Sequence, residues 1–324
     1  MTRRLSCIAL ALWIGITAYS ACAQRPESTP VVGVLMGNVA SGDPVIEAFR
    51  AGLRDKGYIE GRNIRIEFRG AQGNLDLLPA LADELVRLKV DAIVVGNERS
   101  AKVAKQASAT IPIVVSLYNY DPVAGGLIES FARPAGNLTG LFTRTSELVG
   151  KRLEQLKEII PNLSKLAVFW DPLGKGELDE LQSAARLMGI QLQLMELQPP
   201  FDFDAAFKTA KRNKADAVLI IATNAFYVER ARLGALALEN AMPVSSSFRD
   251  CTQAGGLISY GIEFRDAYYR LAYFVDRVLK GAKPADLPFE QVTKFLLVVN
   301  LNSAKSLGLS PPQSILLRAD EIIR

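Results

Sequence analysis

Short apolar runs and amphipathic stretches alternate along most of this chain. Residues 31–36 form a continuous apolar run of the kind strands show when both faces are covered. Asp43 and Pro44 then offer a helix cap and a first helical residue, Val45, Ala48, Phe49 and Leu53 recur at helical spacing, and Gly57 ends the pattern. A strand over 64–68, a helix over 75–88 capped by Asn74, a strand over 92–95, a helix over 100–108 and a strand over 113–116 follow. A further helix is expected over 122–131, after which Arg133-Pro134-Ala135-Gly136-Asn137 breaks the rhythm before a strand over 138–142.

The same programme then runs again, with a helix over 146–160, a strand over 166–170 and a helix over 178–188 closed by Gly189. A strand over 191–197, a helix over 204–211 and a strand over 217–222 complete it. Segments 32–67 and 166–196 share one plan: strand, helix ending in glycine, strand. Strands alternating with helices in this way build parallel sheets covered on both faces, so the expected fold class is α/β with two doubly wound lobes. Farther on, Ser245, Ser246 and Ser247 follow Val244, Gly255-Gly256 introduces a strand over 257–260, and a long amphipathic helix over 264–279 precedes a strand over 294–299. Pattern alone allows these elements to return to either lobe. Ligands of such sheets sit at the carboxyl ends of the strands, so two facing lobes define one cleft.

With 324 residues, 49% of them hydrophobic, the chain has enough apolar material for two cores. Residues 1–23 differ from the rest. Arg3 and Arg4 precede a nearly uninterrupted apolar stretch over 5–18, and Ala21-Cys22-Ala23 supplies small residues for cleavage, the layout of a secretory signal peptide. Cys22 allows a second reading, lipid attachment, although Tyr19 stands where that signal has an aliphatic residue. Residues 24–30, polar with two prolines, read as a flexible lead-in. Removing a leader that contains Arg3 and Arg4 lowers the formal charge from +4 to +2, and no basic stripe suggests nucleic acid as a partner. Cleavage after Ala23 leaves Cys251 as the single thiol, with no internal disulfide.

The chain contains no histidine, which removes the usual general base, the Ser-His dyad and the commonest metal ligand. Neither a phosphate-binding Gly-x-x-x-x-Gly-Lys loop nor a dinucleotide fingerprint is present, so no cofactor and no enzyme activity are expected. What gathers at strand ends is polar and uncharged for the most part: Asn38, Asn97, Tyr118 and Asn119 in the first half, Asp171, Asn224 and Ser246 in the second. Such a rim suits a zwitterion or small polar solute, with Asp171 or Glu98 for an ammonium and Tyr118, Trp170 or Phe248 for an apolar face. The same residue types also cap helices and form turns.

Several segments resemble the ABC transporter substrate-binding protein family that includes the tryptophan/tyrosine-type binding proteins. They are Gly57-Tyr58-Ile59-Glu60-Gly61-Arg62-Asn63, Asp121-Pro122-Val123, residues 132–140, Gly150-Lys151-Arg152-Leu153, residues 255–261, residues 279–288 and Asn300-Leu301-Asn302-Ser303 with Arg318-Ala319-Asp320-Glu321. Ala135 departs from the family, which usually shows a second glycine there, and the loop over 37–43 is unlike that of the aromatic-amino-acid binders. The resemblance implies a type I periplasmic-binding-protein fold with a multi-crossover hinge. It divides the chain into a first lobe of 31–140 plus 255–287 and a second of 141–254 plus 288–324. It also implies a monomeric, periplasmic protein, membrane-tethered if Cys22 is lipidated. That protein captures an amino acid or related carboxylate by lobe closure and delivers it to an ABC permease with its ATPase. Ligand sensing for a membrane receptor, and an exported enzyme using Asp171 or Glu98, are the alternatives.

Overall fold

The computed structural model describes residues 29–144 and 146–324. The expected leader, Cys22 and nearly all of the lead-in lie outside them. The first half of the chain runs β1 (Val31–Met36), α1 (Pro44–Asp55), β2 (Arg65–Gly70), α2 (Leu78–Arg87), β3 (Ala92–Val95), α3 (Glu98–Ala107), β4 (Ile113–Tyr118) and β5 (Leu138–Thr143). The programme resumes with α4 (Leu148–Ile159), β6 (Lys165–Trp170), α5 (Lys175–Leu187), β7 (Gln191–Glu196), α6 (Phe203–Arg212), β8 (Ala217–Ile220), α7 (Asn224–Val228), α8 (Arg230–Glu239), β9 (Val244–Ser246) and α9 (Arg249–Gln253). Then come β10 (Ile258–Ile262), α10 (Phe264–Leu279), β11 (Glu290–Gln291), β12 (Phe295–Asn300), α11 (Leu301–Ser306), α12 (Gln313–Arg318) and β13 (Glu321–Ile323).

Two sheets result. One has six strands in the order β11-β5-β4-β3-β1-β2, the other seven in the order β13-β12-β10-β9-β8-β6-β7. Pairing is parallel throughout except between β10 and β12. The apolar run of β1 is buried along almost its whole length because helices cover both faces, whereas edge strand β2 is only half-buried. Helix α1 begins as expected, with Asp43 accepting from the amide of Val45 and Pro44 in the first turn; it buries Val45, Ile46, Phe49 and Leu53 and packs along α10.

Sheet membership corrects the expected lobe boundaries. β10 pairs with β9 and β12 in the seven-stranded sheet, although residues 255–287 were expected in the first lobe. Helix α10, inside the same 255–287 segment, packs on α1, β3, β4 and β5 of the first lobe and does not depart from the expectation, whereas β11 pairs with β5 although residues beyond 288 were expected in the second lobe. The chain thus changes sheets between Thr143 and Leu148, between Ile262 and Phe264, and between Gln291 and Phe295. A second correction concerns the helix expected over 122–131. Asp121 does cap a turn, accepting from the amides of Val123 and Ala124, but Gly126 adopts the left-handed region (φ 71°) and the segment stays a series of turns. Among the described residues, no helix is long and apolar enough to cross a membrane.

Candidate functional site

Where the two sheets face each other, the carboxyl ends of β1, β3 and β4 present Met36, Gly37, Asn38, Gly96, Asn97, Ser116 and Tyr118 to a cleft. The opposite wall carries Asn224 and Tyr227 from α7, and the first turns of α10 contribute Phe264 and Tyr268. The aromatic rings form one continuous surface. Phe264 lies with its centroid 5.2 Å from that of Tyr118 and 4.7 Å from that of Tyr227, and Tyr227 meets Phe248 edge-on at 5.7 Å. Burial pushes the phenol pKa values of Tyr227 and Tyr268 up, so both rings stay neutral hydrogen-bonding groups. Gly96 is required by this packing: a Cβ there would stand 2.3 Å from the Tyr268 hydroxyl oxygen.

Polar groups interrupt the aromatic surface at a few points. The side-chain oxygen of Asn38 is buried without a hydrogen-bond partner among the described residues, and such an acceptor is costly unless a ligand or water meets it. Asn97 spends its oxygen on capping α3, where it accepts from the amide of Ser100 at 2.8 Å. A second hollow, sharing Tyr118 and Asn224 with the first, adds Glu98, Asn119, Tyr120, Leu173 and Thr223. Glu98 is half-buried in the first turn of α3, and its carboxylate has no hydrogen bond or ion pair to another described residue.

Behind this second hollow sits a buried ion pair. Arg152 of α4 bonds Glu177 of α5, with side chains 0% and 1% exposed. Glu177 also accepts from the amide of Ala222 at 3.3 Å and from Asn119 Nδ2 at 2.9 Å, the latter reaching across from the first sheet. Burial pushes the Glu177 pKa up, while Arg152, the Ala222 amide and Asn119 pull it down. Asn119 holds its place with left-handed backbone (φ 49°), a conformation asparagine tolerates better than most residues.

Five of the seven residues expected at the site therefore line the cleft: Asn38, Asn97, Tyr118, Asn119 and Asn224. Asp171 and Ser246 do not. Asp171 is buried and spends its carboxylate on the amide of Leu173 at 2.9 Å and the hydroxyl of Thr223 at 2.7 Å, and burial raises its pKa against those bonds. Ser246 exchanges hydrogen bonds with the backbone of Phe248 inside the second lobe. Trp170 and Phe248 belong to apolar clusters, although Phe248 supports the cleft through Tyr227. Sequence reasoning missed Tyr227, Phe264 and Tyr268. The spacing of Phe264 and Tyr268, one helical turn apart, was the available signal, but it reads equally as core. Among the described residues, no cluster of metal-ligating side chains occurs.

Two mostly parallel sheets joined by repeated crossovers, with a cleft at their strand ends, define a solute-binding protein of the type I periplasmic-binding-protein fold. A family model described as ABC transporter substrate binding protein matches residues 38–323, and the chain belongs to that family. The family consists of binding proteins rather than enzymes, typically extracytoplasmic. A tyrosine-binding protein of Clostridioides difficile (strain R20291) is 26% identical over 270 residues, covering 82% of this chain and 77% of that protein. Among solved structures, the ABC domain from Streptococcus pneumonia in complex with L-Trp superimposes with a TM-score of 0.80 at 23% identity, covering 91% of this chain and all of that one. A conserved domain protein from Vibrio cholerae gives 0.78 at 26% identity, with coverage of 91% and 100%.

Proposed function

We propose that this protein captures an amino acid with an aromatic side chain between its lobes and, as an exported monomer, delivers it to an ABC permease served by its own ATPase. The observation that carries this reading is the pairing of an aromatic wall with an uncommitted carboxylate in adjoining hollows. Tyr118, Tyr227, Phe264 and Tyr268 suit a ring, Glu98 suits an ammonium, and Asn38 and Asn224 supply uncharged hydrogen-bonding groups between them. The ligands named for the similar proteins, tyrosine and L-Trp, have this chemistry. Capture proceeds by closure: contacts such as Asn119 to Glu177 join the lobes and favour the state in which the ligand touches both. Export through the leader, and tethering if Cys22 carries lipid, place the protein outside the cytoplasm.

The test is calorimetry and thermal shift with L-tyrosine, L-tryptophan, 3-phenylpropionate and tyramine. Either amino acid at 100 times its Kd should stabilise the protein by about 2.7 kcal/mol. Glu98→Gln is expected to weaken amino-acid binding by roughly tenfold or more, the scale of a lost charge-assisted hydrogen bond, and to leave any binding of 3-phenylpropionate nearly unchanged. No binding of either amino acid sinks the proposed ligand class. Equal losses for the amino acids and for 3-phenylpropionate remove Glu98 from the ammonium site.

A further inference from the structure

Arg230, the first residue of α8, sits behind the aromatic wall and touches both lobes. Its Nε donates to Asp250 at 2.7 Å, one terminal nitrogen donates to the Tyr227 carbonyl at 2.9 Å, and the other reaches Asp43 at 3.3 Å. The guanidinium carbon lies 4.0 Å from the centroid of the Tyr227 ring, over its face. The Arg230 side chain is 10% exposed and that of Asp43 13%, so this contact is largely shielded from solvent. Asp250 also takes Arg265 at 3.4 Å, and Arg265 in turn pairs with Glu263, so each of these two guanidiniums meets two carboxylates.

The geography gives this cation a role. Asp43 belongs to the first lobe, caps α1, and ends the loop that begins with Gly37 and Asn38 at the cleft. Tyr227 belongs to the second lobe, and its ring meets Phe264. A carboxylate of one lobe thus holds the cation that lies against a ring lining the other wall. A planar guanidinium can donate to three partners in its own plane while stacking on a ring, and an ammonium cannot.

We infer that Arg230 is a positioning residue for ligand capture: through Asp43 and Asp250 it fixes the Tyr227 ring as a wall of the cleft, linking approach of the lobes to the shape of the site. It does not itself touch the solute. This rests on the reading that a solute binds between the lobes, but not on the solute's identity.

Two variants isolate the effect. Arg230→Lys keeps the charge and loses the fork and the stack. Asp43→Asn keeps an oxygen for the Val45 amide and loses the charge that faces Arg230. In full-length protein carrying 13C-labelled tyrosine rings, with the Tyr227 signal assigned by Tyr227→Phe, both variants should shift that signal without ligand. With L-tryptophan as the probe, each should weaken binding about tenfold through faster dissociation, and the double variant should be no worse than either single one. Unchanged affinity in both variants, or an unshifted ring signal, overturns the inference. So does a loss of affinity matched by an equal fall in ligand-free stability with an unchanged dissociation rate, which marks Arg230 as a fold residue only. If the unaltered protein binds neither L-tryptophan nor L-tyrosine, the proposed ligand class fails while the ring signal still decides the role of Arg230.

Discussion

Replacing Glu177 with alanine is expected to lower the stability of the ligand-free protein by about 3–5 kcal/mol, the cost of stranding one member of a buried ion pair. Arg152 has nowhere to go: its side chain is fully buried, and its Nε and one terminal nitrogen already lack partners among the described residues. Removing Glu177 leaves the whole guanidinium charge unpaired in a dry site and frees Asn119 from its link across the cleft. Removing both charges is a different matter. Arg152→Met with Glu177→Leu restores apolar packing of similar volume and should come out close to the parent, since desolvating a pair cancels most of its attraction. Urea unfolding followed by Trp170 fluorescence measures both. A loss below about 1 kcal/mol for Glu177→Ala, the range of exposed pairs, would mean that water reaches the site.

Gly140→Ala carries the second large effect, and it falls on the first sheet. Gly140 pairs with Val115 between β5 and β4 and adopts φ 146°, where an L side chain is strained. Space is lacking as well: a Cβ would lie 2.0 Å from the Val115 carbonyl oxygen and 2.7 Å from its nitrogen, both backbone atoms that move only if the strands part. Strain of about 1–3 kcal/mol adds to the clash, and a total of about 3 kcal/mol or more is expected. Gly136→Ala, also at positive φ (64°) but with nothing within 4 Å of the added carbon, should cost only about 1 kcal/mol. Hydrogen exchange should show faster opening of β4 and β5 in the first variant alone. Similar losses at the two positions would assign the effect to φ and not to the strand contact.

Elements with strong local signals were legible in the sequence. The apolar run of β1 and the Asp43-Pro44 start of α1 stand where their patterns put them, because burial on both faces and capping are written in neighbouring residues. Helix α8 was not foreseen. Its residues 233–238 are apolar or glycine without a polar face between them, so no amphipathic stripe marks it, and its buried Arg230 looks like a surface cation until Asp43 and Asp250 are brought to it. The lobe to which β10 and α10 return depends on partners far away in the chain, and no local periodicity encodes that choice. The strand-end rule put Asn38, Asn97, Tyr118, Asn119 and Asn224 along the cleft, where the structure has them. It put Asp171 and Ser246 there too, because a residue that follows a strand has the same signature whether it turns to the cleft or to its own backbone.

The route of the chain between the sheets also dictates an order of assembly. The six-stranded sheet takes its outer strand from Glu290–Gln291, and α1 lies against a helix that spans Phe264–Leu279. A nascent chain that has just completed β5 therefore holds five adjacent strands with one edge uncovered and the apolar side of α1 bare. The other sheet waits longer still, for β12 and β13. Neither lobe can close its core until synthesis is almost finished, so the native packing of both depends on the last elements of the chain to leave the ribosome.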